Sequence, residues 1–220
     1  MIIAIDGPAG SGKSTVARII ASKLRIIHIE SGAMYRAVAW KSLRQGVDWN
    51  DIASVAKVTE NIQINFVPGD NGQAIIVDGT EVTGLLKDEN ISRGAAVVAA
   101  QPRVREVLTQ KQRELGSNGN LVMDGRDIGT VVFPQAEKKF FLDADPAERG
   151  RRRYLELKAK NQDVEQEAII DQVKKRDMED RNRPISPLKA AEDASLLDTT
   201  YLKIEEVVEE VMRQIQSPAT

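Results

Sequence analysis

Gly7-Pro8-Ala9-Gly10-Ser11-Gly12-Lys13-Ser14 fills the pattern G-x-x-x-x-G-K-[ST] at every position. Glycines let a backbone turn its N–H groups inward around an anion, and a helix starting at the end of such a loop adds its positive pole. The neighbours on both sides supply the context this reading requires. Ile2-Ile3-Ala4-Ile5, a short apolar run closed by Asp6, predicts a buried strand. Val16, Ile19, Ile20 and Leu24 recur at helical spacing over 13–24. Residues Gly7, Pro8, Ala9, Gly10, Ser11, Gly12, Lys13, Ser14 and Thr15 are therefore expected to cradle the phosphates of ATP. Lys13 is expected to reach the outer phosphates, and Ser14 to ligate Mg²⁺.

Outward from this loop, strands and helices alternate. A strand is expected near 26–29 and a helix over 33–43. Leu121-Val122-Met123 ending in Asp124, Phe140-Phe141-Leu142 ending in Asp143, and Leu196-Leu197 ending in Asp198 read as further strands. Helical patterns cover about 88–100, 103–116, 146–160, 164–181 and 203–215, with Pro102 placed where its missing N–H costs nothing. This order predicts an α/β fold of P-loop NTPase type, a three-layer arrangement with a parallel sheet flanked by helices. Residues 62–83 break the pattern. Ile62, Ile64 and Phe66 alternate with polar residues, Ala74-Ile75-Ile76-Val77 follows, and Asn71-Gly72 and Asp78-Gly79 are hairpin signals. A three-stranded antiparallel insert is expected there. The tail from about Ser217 is expected to be loose.

Composition narrows the possible roles. The 220 residues carry 31 basic and 33 acidic side chains, a net charge of −2. A general nucleic-acid or membrane-surface binder is usually clearly basic, so neither partner is expected. The chain has no cysteine and one histidine, His28, which excludes disulfides and thiolate or His-rich metal sites. No apolar run approaches a membrane span, and Met1 leads straight into the first strand, so a cytoplasmic location is expected. His28 is expected in a core or partly buried structural role, and Trp40 and Trp49 as packing residues.

A phosphate loop fixes the nucleotide and not the job. The guanine-reading N-K-x-D of regulatory GTPases is missing from the sequence. A small-molecule kinase needs a second phosphate site, a device to exclude water, and charge to neutralise the moving phosphoryl group. Arginine suits the first and third, because its planar fork holds phosphate in bidentate fashion. Arg149, Arg151, Arg152 and Arg153 crowd one predicted helix, a lid candidate. Arg176, Asp180 and Arg183 follow at i, i+4 and i+7, which taken alone is equally a surface salt bridge. Asp124 closes a predicted strand and suits a role toward Mg²⁺, directly or through water. Gly125-Arg126-Asp127-Ile128-Gly129 follows at a carboxyl end, where ligands bind in such sheets. The rival readings are a kinase for UMP, AMP or a non-nucleotide acceptor, and an ATP-binding regulatory or RNA-associated module that uses the arginine cluster.

From residue 2 to about 212 the chain resembles the bacterial cytidylate kinases (CMP/dCMP kinases). The resemblance is carried by Asp6 to Ser14, Ser31-Gly32-Ala33-Met34-Tyr35-Arg36, Pro102-Arg103-Val104-Arg105, the long stretch Asp124 to Pro134, and Arg176 with Asp180 to Arg183 and Ser186-Pro187-Leu188. It implies transfer from ATP to CMP or dCMP with Mg²⁺, and the chain is expected to act as a monomer on small molecules. It implies that Arg36, Arg105 and Arg126 hold the acceptor phosphate and that Ser31 and Asp127 lie near the base. Arg176, Asp180 and Arg183 would meet the monophosphate and sugar, while Arg149, Arg152 and Arg153 would form the basic lid. Lys13, Arg126, Asp124 and the lid arginines are the implied catalytic set. The implied organisation is one kinase domain: a core of 1–30, 117–147 and 184–220, a monophosphate-binding region of 31–116, and a lid with its adjoining helix over 148–183. Three positions depart from the pattern. Ala96 stands where a serine is frequent, Glu30 where an aspartate is common, and Gly150 interrupts the lid helix.

Overall fold

In the computed structural model, which describes residues 1–69, 72–159 and 161–217, the first strand is the centre of the sheet. The expected turn at Asn71, the end of the helix at Lys160 and the tail beyond Ser217 lie outside these residues. The elements run β1 (Ile2–Asp6), α1 (Lys13–Leu24), β2 (Ile27–Glu30), α2 (Ser31–Arg44), α3 (Ile52–Asn61), β3 (Ile64–Gly69), β4 (Gly72–Val77), β5 (Thr80–Glu81), α4 (Glu89–Ala99), α5 (Pro102–Leu115), β6 (Leu121–Gly125), β7 (Lys138–Asp143), α6 (Pro146–Ala159), α7 (Gln166–Asn182), β8 (Ser195–Asp198) and α8 (Ile204–Gln216). The chain divides into two units, Met1–His28 with Gly119–Thr220, and Ile29–Asn118.

In the first unit the strand order is β2-β6-β1-β7-β8. β1 pairs in parallel with β6 and β7, and β7 with β8. Such strands are buried on both faces, which is why they read as continuous apolar runs rather than alternations. Ile3, Ile5, Val122, Phe140 and Leu142 form one face of this core. Val16, Ala17, Ile20 and Ala21 of α1 and Val207, Val208 and Val211 of α8 cover it. The register sets Ile5 beside Asp124 and Asp6 beside both Gly125 and Phe141. Three strand ends, and the loops that leave them, therefore meet at one carboxyl edge.

The second unit holds the antiparallel sheet β3-β4-β5 and helices α2 to α5. Met34, Val38, Ile64, Ile75, Val77, Val98 and Leu108 fill its core. Trp40 and Trp49 pack against that core, as expected of them. Gly94 on α4 faces Trp49, where a Cβ would lie 2.5 Å from the indole. α3 is an element the sequence reading did not name. Asp51 caps it by accepting from the Ser54 N–H at 3.1 Å, and Val55 and Val58 bury its apolar face.

Candidate active site

The loop Gly7 to Gly12 leaves β1 and enters α1 with Gly12 in the left-handed region at φ 86°. No side chain caps α1, so its first N–H groups stay directed into the loop. Gly10 has φ 78°, and a Cβ there would lie 2.9 Å from the Arg149 carbonyl oxygen. Only glycine meets both demands. Lys13 is buried, and its Nζ donates to the Pro8 carbonyl at 3.1 Å, which folds the ammonium over the loop.

Distant parts of the chain hold this loop. Thr199, just after β8, donates through Oγ1 to the Ser11 carbonyl at 3.1 Å, and its own N–H donates to the Asp143 carbonyl at 2.8 Å. Arg149 donates to the Ala9 carbonyl at 3.1 Å and to the Ala144 carbonyl at 2.8 Å, and forms a two-pronged pair with Asp177 of α7. Here the structure differs from the expected lid role. Arg149 is only 1% exposed and its guanidinium is spent on protein acceptors, so it braces α6, α7 and the loop together. Arg152 pairs with Glu148 and donates to the Thr199 and Thr200 carbonyls, whereas Arg153 is part-exposed and pairs with Glu156. Arg151 lies outward against Glu148.

Beneath the loop, Ser14 Oγ donates to Asp124 Oδ2 at 2.6 Å, and the His28 Nε2 lies 2.7 Å from Asp124 Oδ1. Burial alone would raise the Asp124 carboxyl. The hydrogen bond and charge from His28, the charge of Lys13 and the Ser14 hydroxyl outweigh burial and hold it below the usual carboxylate range. Among the described residues, no three His, Cys, Asp or Glu gather into a metal cage. The Ser14–Asp124 pair nonetheless fits Mg²⁺ of the kind that takes one or two protein oxygens and completes its shell with water and substrate phosphates.

The loop after β6 is fixed by a residue the sequence reading used only to end β1. Asp6 Oδ1 and Oδ2 accept the N–H groups of Ile128 and Gly129 at 2.8 and 2.7 Å. One π-helical turn, Ile128–Val132, follows. Burial pushes the Asp6 carboxyl up to about 7, with nearby Asp127 adding to the rise and the two N–H groups and Lys13 opposing it. Arg126, next to this turn, donates through Nε to Asp180 Oδ2 at 2.9 Å, and Arg183 lies 3.6 Å from the other oxygen. α7 ends at Asn182, so Arg183 caps the helix rather than continuing the face of Arg176 and Asp180. Asp180 is mostly buried, which would raise its carboxyl. Arg126, Arg176 and Arg183 outweigh that and lower it. Three guanidinium groups thus surround one carboxylate, a setting whose donors suit an anion such as a phosphate monoester.

In the second unit, Ser31 is buried in the first turn of α2, and Arg36 one turn on donates to Glu30 Oε1 at 2.7 Å. The longer side chain of Glu30 makes that contact. Arg105 on α5 is buried, donates to the Ala99 carbonyl at 3.2 Å, and lies over the Tyr35 ring at 5.3 Å. Ala96 is exposed on α4. No helix among the described residues is long and apolar enough to cross a membrane.

Comparison with known proteins bears on the family and the fold. The cytidylate kinase family model matches residues 3–217. A cytidylate kinase of Carboxydothermus hydrogenoformans is 50% identical over 215 residues, covering 98% of this chain and 97% of the relative. Cytidylate kinases of Pediococcus pentosaceus and Pseudomonas aeruginosa are each 45% identical, covering 98% of this chain and 95% of theirs. Among solved structures, an uncharacterised protein from Eubacterium ventriosum has a TM-score of 0.53 at 15% identity and 99% coverage of both chains. A shikimate kinase from Bacteroides thetaiotaomicron has a TM-score of 0.50 at 14% identity, again with 99% coverage of both chains. These two speak for the fold alone, whereas the family match and the long, highly identical relatives decide the kinship: the chain belongs to the cytidylate kinase family.

Proposed function

We propose that this kinase transfers the terminal phosphoryl group of ATP to CMP or dCMP, giving ADP with CDP or dCDP. The observation that carries the reading is the arginine-rich cluster Arg126–Asp180–Arg183, which begins two residues beyond the Asp124 carboxylate that receives Ser14. One unit thus carries a triphosphate loop and, just past the end of β6, a concentration of positive charge fit for a second phosphate.

The donor is held on Gly7 to Thr15. Mg²⁺ would sit on Ser14, with Asp124 behind it, and supply charge neutralisation to the donor phosphates. Lys13 lies ready to leave the Pro8 carbonyl for an outer phosphate oxygen. Arg152, on leaving Glu148 and the Thr199 and Thr200 carbonyls, and Arg153, on leaving Glu156, are the lid arginines that add positive charge around the transferring group. Arg149 acts from behind by fixing Ala9. Arg126, Arg176 and Arg183 are assigned to the acceptor phosphate, Asp180 to the sugar and Asp127 to the base; by the family resemblance Ser31, Arg36 and Arg105 are further acceptor residues. No dedicated base is needed, because the acceptor phosphate is already anionic at neutral pH. Catalysis comes from in-line positioning and charge neutralisation. The enzyme is taken to act as a monomer in the cytoplasm, on small molecules only.

The test is a coupled assay of ADP formation with CMP, dCMP, UMP and AMP. CMP and dCMP are expected to give ADP matched one for one by CDP or dCDP. Turnover with UMP or AMP and none with CMP would overturn the assignment.

A further inference from the structure

His28 is the only histidine in the chain, and its sequence context indicates nothing beyond a core or partly buried structural role. In the structure its ring is 14% exposed and meets the 2%-exposed Asp124 carboxylate. The oxygens of Asp124 accept, and the His28 ring nitrogen and the Ser14 hydroxyl are two of the groups that face them. His28 gives Nε2–H to Oδ1 at 2.7 Å, and Ser14 gives Oγ–H to Oδ2 at 2.6 Å. The terminal torsion of an aspartate is broad and nearly two-fold, so its own stereochemistry does not set the carboxylate plane. Its hydrogen bonds do. A hydroxyl that spends its single proton on Asp124 must point its lone pairs elsewhere, and those lone pairs are what a metal ligand offers. The carboxylate of Asp124, which accepts from His28 on one oxygen and from Ser14 on the other, therefore sets where Ser14 aims.

We propose that His28 is a positioning residue for the metal-bound donor: by fixing the Asp124 carboxylate it orients Ser14, and so controls how much Mg²⁺ strengthens ATP binding. This inference rests on the reading of Gly7 to Thr15 as an ATP·Mg²⁺ loop and deepens it. Partners that orient metal ligands from behind are worth roughly 10- to 100-fold in metal affinity.

The experiment is calorimetric binding of ATP to the full chain, without acceptor, once in Mg²⁺ and once in EDTA. The ratio of the two affinities is the Mg²⁺ enhancement. His28→Leu is expected to cut the enhancement by about 10-fold or more, while affinity in EDTA stays within about twofold. His28→Gln, whose amide reaches as far as Nε2 and donates, is expected to restore most of it. Should His28→Leu not fold, His28→Asn takes its place, since its amide is too short for Asp124 Oδ1. An unchanged enhancement in the donor-less variant, or an equal loss in EDTA, overturns the inference, as does a wild type that binds ATP no more tightly with Mg²⁺. Failure of the acceptor assignment is distinguishable, because it shows only in the turnover assay with CMP and leaves these binding ratios untouched.

Discussion

Asp6 ends the central strand and spends both carboxylate oxygens on the backbone of the loop after β6. Its carboxyl is raised from 3.8 to about 7, mainly by burial. The native state therefore takes up a proton that the unfolded chain releases. Its contribution to stability is complete below about pH 4 and is lost as the pH rises through 7. At ~1.4 kcal/mol per pH unit the full span is worth about 4 kcal/mol. Asp6→Asn is expected to flatten the urea-midpoint profile between pH 4.5 and 7.5, even as one of its two N–H acceptors is lost. Profiles that run parallel to wild type would refute that assignment. Lys13 is the other residue whose removal is diagnostic. Lys13→Ala is expected to lower kcat by orders of magnitude with far-ultraviolet dichroism unchanged, and near-wild-type turnover would end the phosphate-loop reading. The loop was legible because all of its parts are contiguous. The Asp6 and His28 roles were not, because their partners lie 122 and 96 residues away. A lone histidine in an apolar strand gives no sign of where its ring will point.

At the level of elements, the glycine inside α6 has a packing cause. A Cβ on Gly150 would come 2.7 Å from the Ile170 Cα and 2.5 Å from its side chain, so α6 and α7 touch there backbone to backbone. Alanine would gain up to about 1 kcal/mol in helix propensity. It would also force two helices apart, an overpacking cost of about 1–3 kcal/mol. Gly150→Ala is expected to be a net destabilisation, read as a lower urea midpoint, and a more stable variant would show that the helices separate freely. α7 also carries Asp180, whose neighbours are Arg126, Arg176 and Arg183. Asp180→Ala is expected to raise KM for CMP and dCMP unequally while leaving KM for ATP within about twofold. Unchanged kinetics with both acceptors would remove it from the site. Helix periodicity made α6 and α7 readable. It could not separate Arg149 from Arg152 and Arg153, because three arginines within five positions look alike until Asp177 and the Ala9 carbonyl claim one of them. α3 is short, with only Val55 and Val58 of its apolar residues buried, and the Asp51 cap is its clearest signal in the sequence.

For the whole molecule, the order of strands was readable and the long-range fastening was not. ATP binds the folded chain and not the unfolded one, so at a hundred times its Kd it is expected to add about 2.7 kcal/mol of stability. For a chain of this size that is a rise in Tm of roughly 5–10 °C. Lys13→Ala should lose most of the rise, and a wild type with no shift would show that the loop does not hold the nucleotide. The loop itself is written within the first fifteen residues, yet its carbonyls are gripped by Arg149 and Thr199, 140 and 188 residues downstream. A chain still being synthesised therefore carries the whole phosphate motif long before it owns a finished nucleotide pocket. Premature stop products that end ahead of Thr199 keep the signature and lose at least the Thr199 contact to the Ser11 carbonyl, and so are expected to hold ATP more weakly than the complete chain.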